Sequence, residues 1–230
     1  VHQSSAASRL PSILILGETG TGKGLLARSL HSSSPRAGRP FVDVDCPAIP
    51  ESMLEAELFG FERGAFTGAH RSKPGLLQAA HGGVIFLDEV GLLPPTLQAK
   101  LLQSLEERAV RRLGATRAEP VDVWVLSATN EDLAEAVRAG RFRQDLYHRL
   151  AALPVRLPPL RERGQDILLL AHHYLARACS DHGVPPKRLG PDAEAALLAH
   201  PWPGNVRELI NVMERVALLV DATVVSAGHL

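Results

Sequence analysis

Short apolar, β-branched runs alternate with helical spacing through the first two thirds of the chain. Ser12 to Leu16, Phe41 to Val44, Val84 to Leu87 and Val121 to Ser127 read as strands, and Leu153 to Leu157 as a weaker one. Between them Gly24 to His31, Thr96 to Glu107 and Leu133 to Arg138 carry apolar residues at helical intervals. Strands that are apolar throughout and separated by helices predict a parallel sheet covered on both faces, an α/β fold. The run Leu157-Pro158-Pro159-Leu160, followed by Arg161-Glu162-Arg163-Gly164, marks a boundary. Beyond it the pattern is purely helical, over Asp166 to Cys179, Asp192 to His200 and Val206 to Val220. In the last of these Val206, Leu209, Ile210, Met213, Val216, Ala217 and Val220 share one face, and Asn205 with Glu208 supplies a capping-box-like start. The reading is an α/β subdomain over residues 1–160 and a small all-helical subdomain over 161–230.

Composition narrows the class. The 230 residues hold 25 Lys+Arg against 25 Asp+Glu with 45% apolar residues, which fits an ordinary globule and argues against disorder. A formal net charge of zero gives no overall field for nucleic acid. Cys46 and Cys179 are the only cysteines and form neither a disulfide framework nor a metal spacing, so a reducing compartment fits. No apolar run approaches a membrane span and no leader-like segment opens the chain, so a cytoplasmic protein without membrane contact is expected.

The sharpest chemical signal is GETGTGKG: Gly17, Glu18, Thr19, Gly20, Thr21, Gly22, Lys23 and Gly24, directly after a strand and opening a helix that continues with Leu25. Glycines let backbone N–H groups curl around phosphate, the helix N-terminus adds partial positive charge, and Lys23 reaches the outer phosphates. The bland reading is a glycine-rich turn that contains a lysine. Ser or Thr normally follows that lysine and meets magnesium; Gly24 has no side chain, so Mg2+ needs other ligands. The buried run Val84-Ile85-Phe86-Leu87 ends in Asp88-Glu89, at the strand end where α/β sheets bind ligands. Asp88 is the candidate magnesium ligand, through water, and Glu89 the candidate group to polarise an attacking water; the alternative is a pair of solvated acids.

Further segments make a family resemblance specific. They are ELFGFE at Glu57 to Glu62, GAFTGA at Gly64, Ala65, Phe66, Thr67, Gly68 and Ala69, GGVIFLDE at Gly82 to Glu89, and ATN at Ala128 to Asn130. FRQDLYHRL at Phe142 to Leu150, LPPLRER at Leu157 to Arg163 and WPGNVREL at Trp202 to Leu209 follow in order. Together they resemble the central AAA+ ATPase domain of the sigma-54-dependent transcription activators, the bacterial enhancer-binding proteins. GAFTGA discriminates most, because most other AAA+ proteins lack it.

The resemblance implies a P-loop AAA+ fold with a helical lid, ATP and Mg2+ as ligands, and self-association into a ring, usually a hexamer. It implies ATP-driven remodelling of sigma-54 RNA polymerase, leading to the open promoter complex, with GAFTGA touching the sigma factor through Phe66 beside Thr67. The glycines and alanines of that loop permit a tight mobile turn in which Phe66 is the only large apolar group; the competing reading buries Phe66 as a core anchor. It further implies Thr129 and Asn130 as the sensor near the γ-phosphate, Arg143 and Arg149 as arginine fingers donated to a neighbouring subunit, and Arg207 as the lid sensor. The alternative for Arg143 and Arg149 is surface pairing on an exposed helix with Asp145, which is close to both.

This chain departs from the family at four places: Gly24 where Glu is usual, Phe61 in place of His, His148 where Tyr is frequent, and Asp45 where an Asn switch normally pairs with the catalytic glutamate. Val1 to Pro11 does not clearly show the family's adenine-contacting segment. The chain reads as an excised domain, with DNA contacted only through a domain it lacks. Among the ten histidines the cluster His172, His173, Cys179 and His182 is irregularly spaced and favours surface histidines over zinc. Two other functions stay open. One is a nucleotide-gated assembly module that hydrolyses weakly because of Gly24 and Asp45; the other is a different AAA+ machine, which GAFTGA disfavours.

Overall fold

The computed structural model describes Leu10 to Leu230, so the Val1 to Pro11 expectation lies outside the described residues except at its last two positions. The chain folds as two compact units. Among the described residues, one comprises Leu10–Leu16 with Lys23–Arg156; the other comprises Gly17–Gly22 with Leu157–Leu230. The division falls after Arg156, where the proline-rich run begins, and the glycine-rich loop groups with the helical unit.

The first unit is built on a five-stranded sheet. Its strands are β1 (Ile13–Leu16), β2 (Phe41–Asp45), β3 (Val84–Asp88), β4 (Trp124–Thr129) and β5 (Leu153–Arg156). All pairings are parallel, in the order β2-β3-β4-β1-β5. The central strands β3 and β4 are buried almost throughout, as their largely apolar sequences require, with Ser127 and Thr129 buried among them. The edge strand β5 is largely exposed, which accounts for its weaker apolar signal.

The helices of this unit are α1 (Lys23–Ser32), α2 (Glu51–Phe59), α3 (Leu76–Ala79), α4 (Pro95–Glu107), α5 (Leu133–Arg138) and α6 (Gln144–Leu150). Leu58, Phe59, Ile85, Leu87, Leu101, Leu146 and Leu150 pack into one core. Each leucine or phenylalanine of this kind contributes roughly 1.5–3 kcal/mol through burial. Helix α2 was not evident from spacing; its buried Leu54, Leu58 and Phe59 share the helix with the exposed Met53. It ends at Gly60, φ +77°, where a Cβ would meet Lys73 O and Gly75 N at 2.6 Å. That close approach forms the antiparallel base, Gly60–Phe61 with Lys73–Pro74, from which GAFTGA projects. A second hairpin pairs Ala109–Val110 with Glu119–Pro120.

The second unit contains α7 (Asp166–Asp181), α8 (Pro191–Ala199) and α9 (Asn205–Leu219) around Ile167, Leu175, Trp202, Leu209, Met213 and Val216. Two sequence expectations are corrected here. The unit is not purely helical, because Arg188–Leu189 and Val224–Val225 pair as short parallel strands. Asn205 does not cap α9; Gly204 does, and Glu208 Oε2 accepts the Gly204 N–H at 2.8 Å. The Asn205 side chain is fully buried and engaged elsewhere.

Candidate functional site

The glycine-rich loop is held by its carbonyls. Glu18 O accepts the Thr21 hydroxyl at 2.8 Å and the Thr21 N–H at 3.3 Å. Thr19 O accepts Asn205 Nδ2 at 3.0 Å, Gly20 O accepts the Val206 N–H at 3.0 Å, and Thr21 O accepts Arg163 Nη2 at 2.8 Å. The Glu18 carboxylate takes both Arg161 guanidinium nitrogens, at 2.9 and 2.6 Å, and Asn205 Nδ2 at 3.2 Å. Glu18 thus serves the loop through its backbone while its side chain braces the helical unit. Gly20 and Gly22 take φ of +80° and +101°. A Cβ at Gly20 would lie 2.3 Å from Gly204 O and 3.3 Å from Arg207 Cβ, so this position demands glycine. Arg207 is exposed in the first turn of α9.

Within the sheet unit, Lys23 opens α1 and is only 7% exposed. Its Nζ lies 3.2 Å from Glu89 Oε1, while Glu89 Oε2 accepts the Asn130 N–H at 3.0 Å. Glu89 adopts φ +53°, a left-handed conformation rare outside glycine, directly after β3. That turn carries its carboxylate toward Lys23 and the end of β4. Thr129 ends β4 as a buried residue whose hydroxyl accepts the Glu131 N–H at 3.1 Å.

Asp88 accepts the Glu89 N–H at 3.1 Å, and Asp45 stands opposite it in the β2–β3 register. Burial pushes the Asp88 carboxyl above its ordinary range, Glu89 adds to the rise, and Lys23 opposes it. The same acids act on Cys46, whose buried thiol is pushed up to about 12 by burial and by Asp45, Asp88 and Glu89. Asp45 is exposed, and Glu89's carboxylate is bonded to Lys23 and Asn130 rather than to it. A Cβ at Gly24 would make only a 3.8 Å contact with the Phe86 ring, so space does not require glycine there; Leu25 is 70% exposed.

Hard carboxylate oxygens at a strand end suit magnesium, which keeps several waters and takes one or two protein carboxylates. Among the described residues no group of three or more His, Cys, Asp or Glu side chains is arranged to hold a metal. His172 and His182 instead meet Glu194 and Glu214, at 3.0 and 3.3 Å, and Cys179 is buried.

GAFTGA forms a compact turn. Gly64 N–H donates to Ala69 O at 2.8 Å and Ala69 N–H to Phe66 O at 3.0 Å, with Gly64 and Gly68 at positive φ. Phe66 is 46% exposed and meets Phe61 edge-to-face at 5.0 Å, while Ala69 is buried and Thr67 exposed. Phe66 is therefore not a core anchor, and its aromatic neighbour is the residue that replaces the family's usual His.

Sequence reading missed a second segment, residues 111–118, which lies against this turn. Leu113 exchanges backbone hydrogen bonds with Gly60 and Glu62, both at 2.9 Å, and Arg112 bridges Glu62 at 3.1 Å and Glu119 at 2.9 Å. A cleft of about 290 Å³ opens beside them, lined by Ala65, Ser104, Arg111 and Gly114 among others. The turn signal at Leu113-Gly114 was the available clue.

Arg143 precedes α6 and pairs with Asp145 at 2.7 Å, both about half exposed. Arg149 does not share that partner; its Nη2 donates to Leu105 O at 3.0 Å. The expectation that Asp145 is close to both arginines is corrected. They lie on opposite ends of α6, and only Arg143 is within reach.

Comparison with known proteins places these features together. Residues 2–156 match the family model described as the sigma-54 interaction domain, and residues 161–230 match that of the AAA+ ATPase lid domain. The chain is 51% identical over 216 residues to the response regulator protein PilR of Pseudomonas aeruginosa, covering 94% of this chain and 48% of that protein. It is 47% identical over 218 residues to the transcriptional regulatory protein ZraR of Salmonella typhi, covering 95% and 49%. The crystal structure of NtrX from Brucella abortus in complex with ATP superposes with a TM-score of 0.88 at 40% identity, covering 96% of this chain and 49% of that one. The chain spans about half the length of the relatives it matches.

Proposed function

Because this chain belongs to the sigma-54 interaction domain family and continues into an AAA+ lid domain, we propose that it is an ATP-hydrolysing motor that remodels sigma-54 RNA polymerase toward the open complex. The observation that carries the hydrolytic half is the joining of Glu89 to both Lys23 and the Asn130 N–H. Phosphate oxygens arriving at Lys23 compete for its ammonium and release one Glu89 oxygen. That oxygen then takes a proton from water as the water attacks the γ-phosphorus and the bond to the β-phosphate oxygen breaks.

Gly17 to Gly22, Lys23, Gly24 and Leu25 form the nucleotide-binding segment in this reading. Asn130 positions the γ-phosphate end, and Arg207 serves as lid sensor. Magnesium, when bound, would neutralise charge on the β- and γ-phosphates, and Asp88 is the residue that would hold it. Arg143 and Arg149 act on the nucleotide of a neighbouring copy in a ring, a hexamer on family grounds. Phe66, exposed on a turn whose glycines set its shape, supplies the sigma-factor contact beside Thr67. Asp45 stands at the switch position, where its side chain lacks the amide N–H donor that an asparagine would offer.

The tie between Glu89 and Lys23 also favours a second reading, a nucleotide-gated assembly module with weak hydrolysis. Turnover at saturating ATP and magnesium, measured across protein concentration, separates the two. Open-complex formation at a sigma-54 promoter, with and without ATP, tests the motor itself. An absence of ATP-dependent opening by an assembled, hydrolysing protein would overturn the polymerase assignment.

A further inference from the structure

The LRER segment has no role in the reading above, yet its arginines reach the nucleotide loop. A trans peptide points its N–H opposite to its C=O. Holding the carbonyls of Thr19 and Thr21 on Asn205 and Arg163 therefore turns the N–H groups of Gly20 and Gly22 to the other side of the loop. Those are the groups a phosphate-binding loop must present.

Both holders are themselves fixed. Arg163 Nε donates to Pro158 O at 3.0 Å. Asn205, left-handed at φ +52° and fully buried, accepts the Leu160 N–H on Oδ1 at 2.7 Å and shares Glu18 with Arg161. The Thr21 hydroxyl closes the turn from inside.

We propose that Arg163 and Asn205, braced by the Glu18–Arg161 pair, are positioning residues of the nucleotide site: they grip loop carbonyls and thereby aim its N–H groups at the polyphosphate. Neither touches the ligand. The inference rests on the nucleotide-binding reading of GETGTGKG and adds to it that the affinity of this loop is set by residues of the helical unit. Because the grip acts on the loop rather than on Glu89 or Asp88, it governs binding more than the chemical step.

The test is calorimetric titration of ATP and of ADP into the whole chain, with thermal melting in the absence of nucleotide. Arg163→Ala removes the Thr21 contact. Asn205→Asp keeps the shape and the bond from Leu160 N–H but loses the donor to Thr19 and adds a charge beside Glu18. Each is expected to weaken ATP and ADP alike by about tenfold, the loss of one charge-assisted or buried hydrogen bond. KM for ATP rises by a similar factor while kcat at saturation holds. Arg163→Lys, which retains a donor, recovers most of the loss.

A purely structural role would lower the melting temperature and leave the affinity of folded protein unchanged, and that result would overturn the proposal. Asn205→Asp, nearly isosteric, decides the matter if Arg163→Ala does not fold. Wild-type protein that binds neither nucleotide would instead defeat the nucleotide reading itself, before any variant is compared.

Discussion

Glu89 and Lys23 are joined at 3.2 Å, the candidate base and the candidate phosphate-binding cation occupying each other. Glu89→Gln removes the charge from that pair and leaves an oxygen able to accept the Asn130 N–H. Lys23 then meets phosphate without the Glu89 charge as a competitor. ATP affinity is expected to hold or tighten, while turnover falls about 10²–10⁴-fold for loss of the base. Parallel titration and turnover measurements check both. Weakened binding with turnover intact would show that Glu89 serves the lysine and not the water.

Asp88 supplies a pH signature. Its folded carboxyl lies above the ordinary 3.8, through burial first and Glu89 second. A proton held more tightly in the folded state stabilises at low pH, and that contribution is lost as pH rises from 3.8 through the elevated value. Asp88→Asn is therefore expected to melt higher than wild type at neutral pH, with the gap closing in acid. It should also abolish any gain in ATP affinity on adding magnesium. Melting curves across pH, without nucleotide, measure the first effect. A variant that melts lower than wild type at neutral pH would contradict it.

The arginines at α6 separate in their surroundings, and so in their tests. Arg143 sits in an exposed pair with Asp145, of a kind that adds little to stability, whereas Arg149 is tied to Leu105 O near the end of α4. If both act on a neighbour's nucleotide, specific activity rises with protein concentration and either Arg→Ala variant poisons mixtures with wild type. The loss on assembly-dependent turnover is about 10³-fold or more. Asp145→Ala, which releases Arg143, keeps that activity. Turnover per subunit that stays flat on dilution, with dissociation demonstrated, would remove the arginines from catalysis.

Much of this architecture is legible without coordinates, and the limits are physical. The run Val84 to Leu87 announces a strand buried on both faces, and the stripe from Leu209 to Ala217 announces the principal lid helix. Helix α2 hides because it is short and its exposed Met53 stands directly before the buried Leu54, so its apolar residues do not mark one face. Asn205 misleads, since a polar residue three before a glutamate resembles a cap, whereas its partners Thr19 and Glu18 lie nearly the whole chain away. The approach of Gly114 to Ala65 of the GAFTGA turn is likewise long-range; the Leu113-Gly114 turn signal marks a turn but not the partner it meets. Spacing reports faces; it does not report which distant carbonyl a side chain will reach.

Phe66 and Phe61 offer the sharpest separation of contact from stability. Their rings meet edge-to-face at 5.0 Å, and Phe66 keeps nearly half its surface exposed. Such a pair is worth roughly 0.5–1.5 kcal/mol beyond area burial, so Phe66→Ala should cost about that much and leave the fold intact. ATP turnover is expected to persist, because the turn lies outside the group formed by Lys23, Asp88, Glu89 and Asn130. Open-complex formation should be lost, since the ring is the turn's exposed aromatic. Phe61→Ala leaves Phe66 in place but strips its neighbour, and should reduce opening less severely while also sparing turnover. Phe61→His, restoring the family's usual residue, keeps an aromatic ring against Phe66 and should retain opening. Melting, turnover and promoter opening on the same three variants decide the matter. Loss of fold in Phe66→Ala would make the ring structural, and opening that survives its removal would place the sigma-factor contact elsewhere on the molecule.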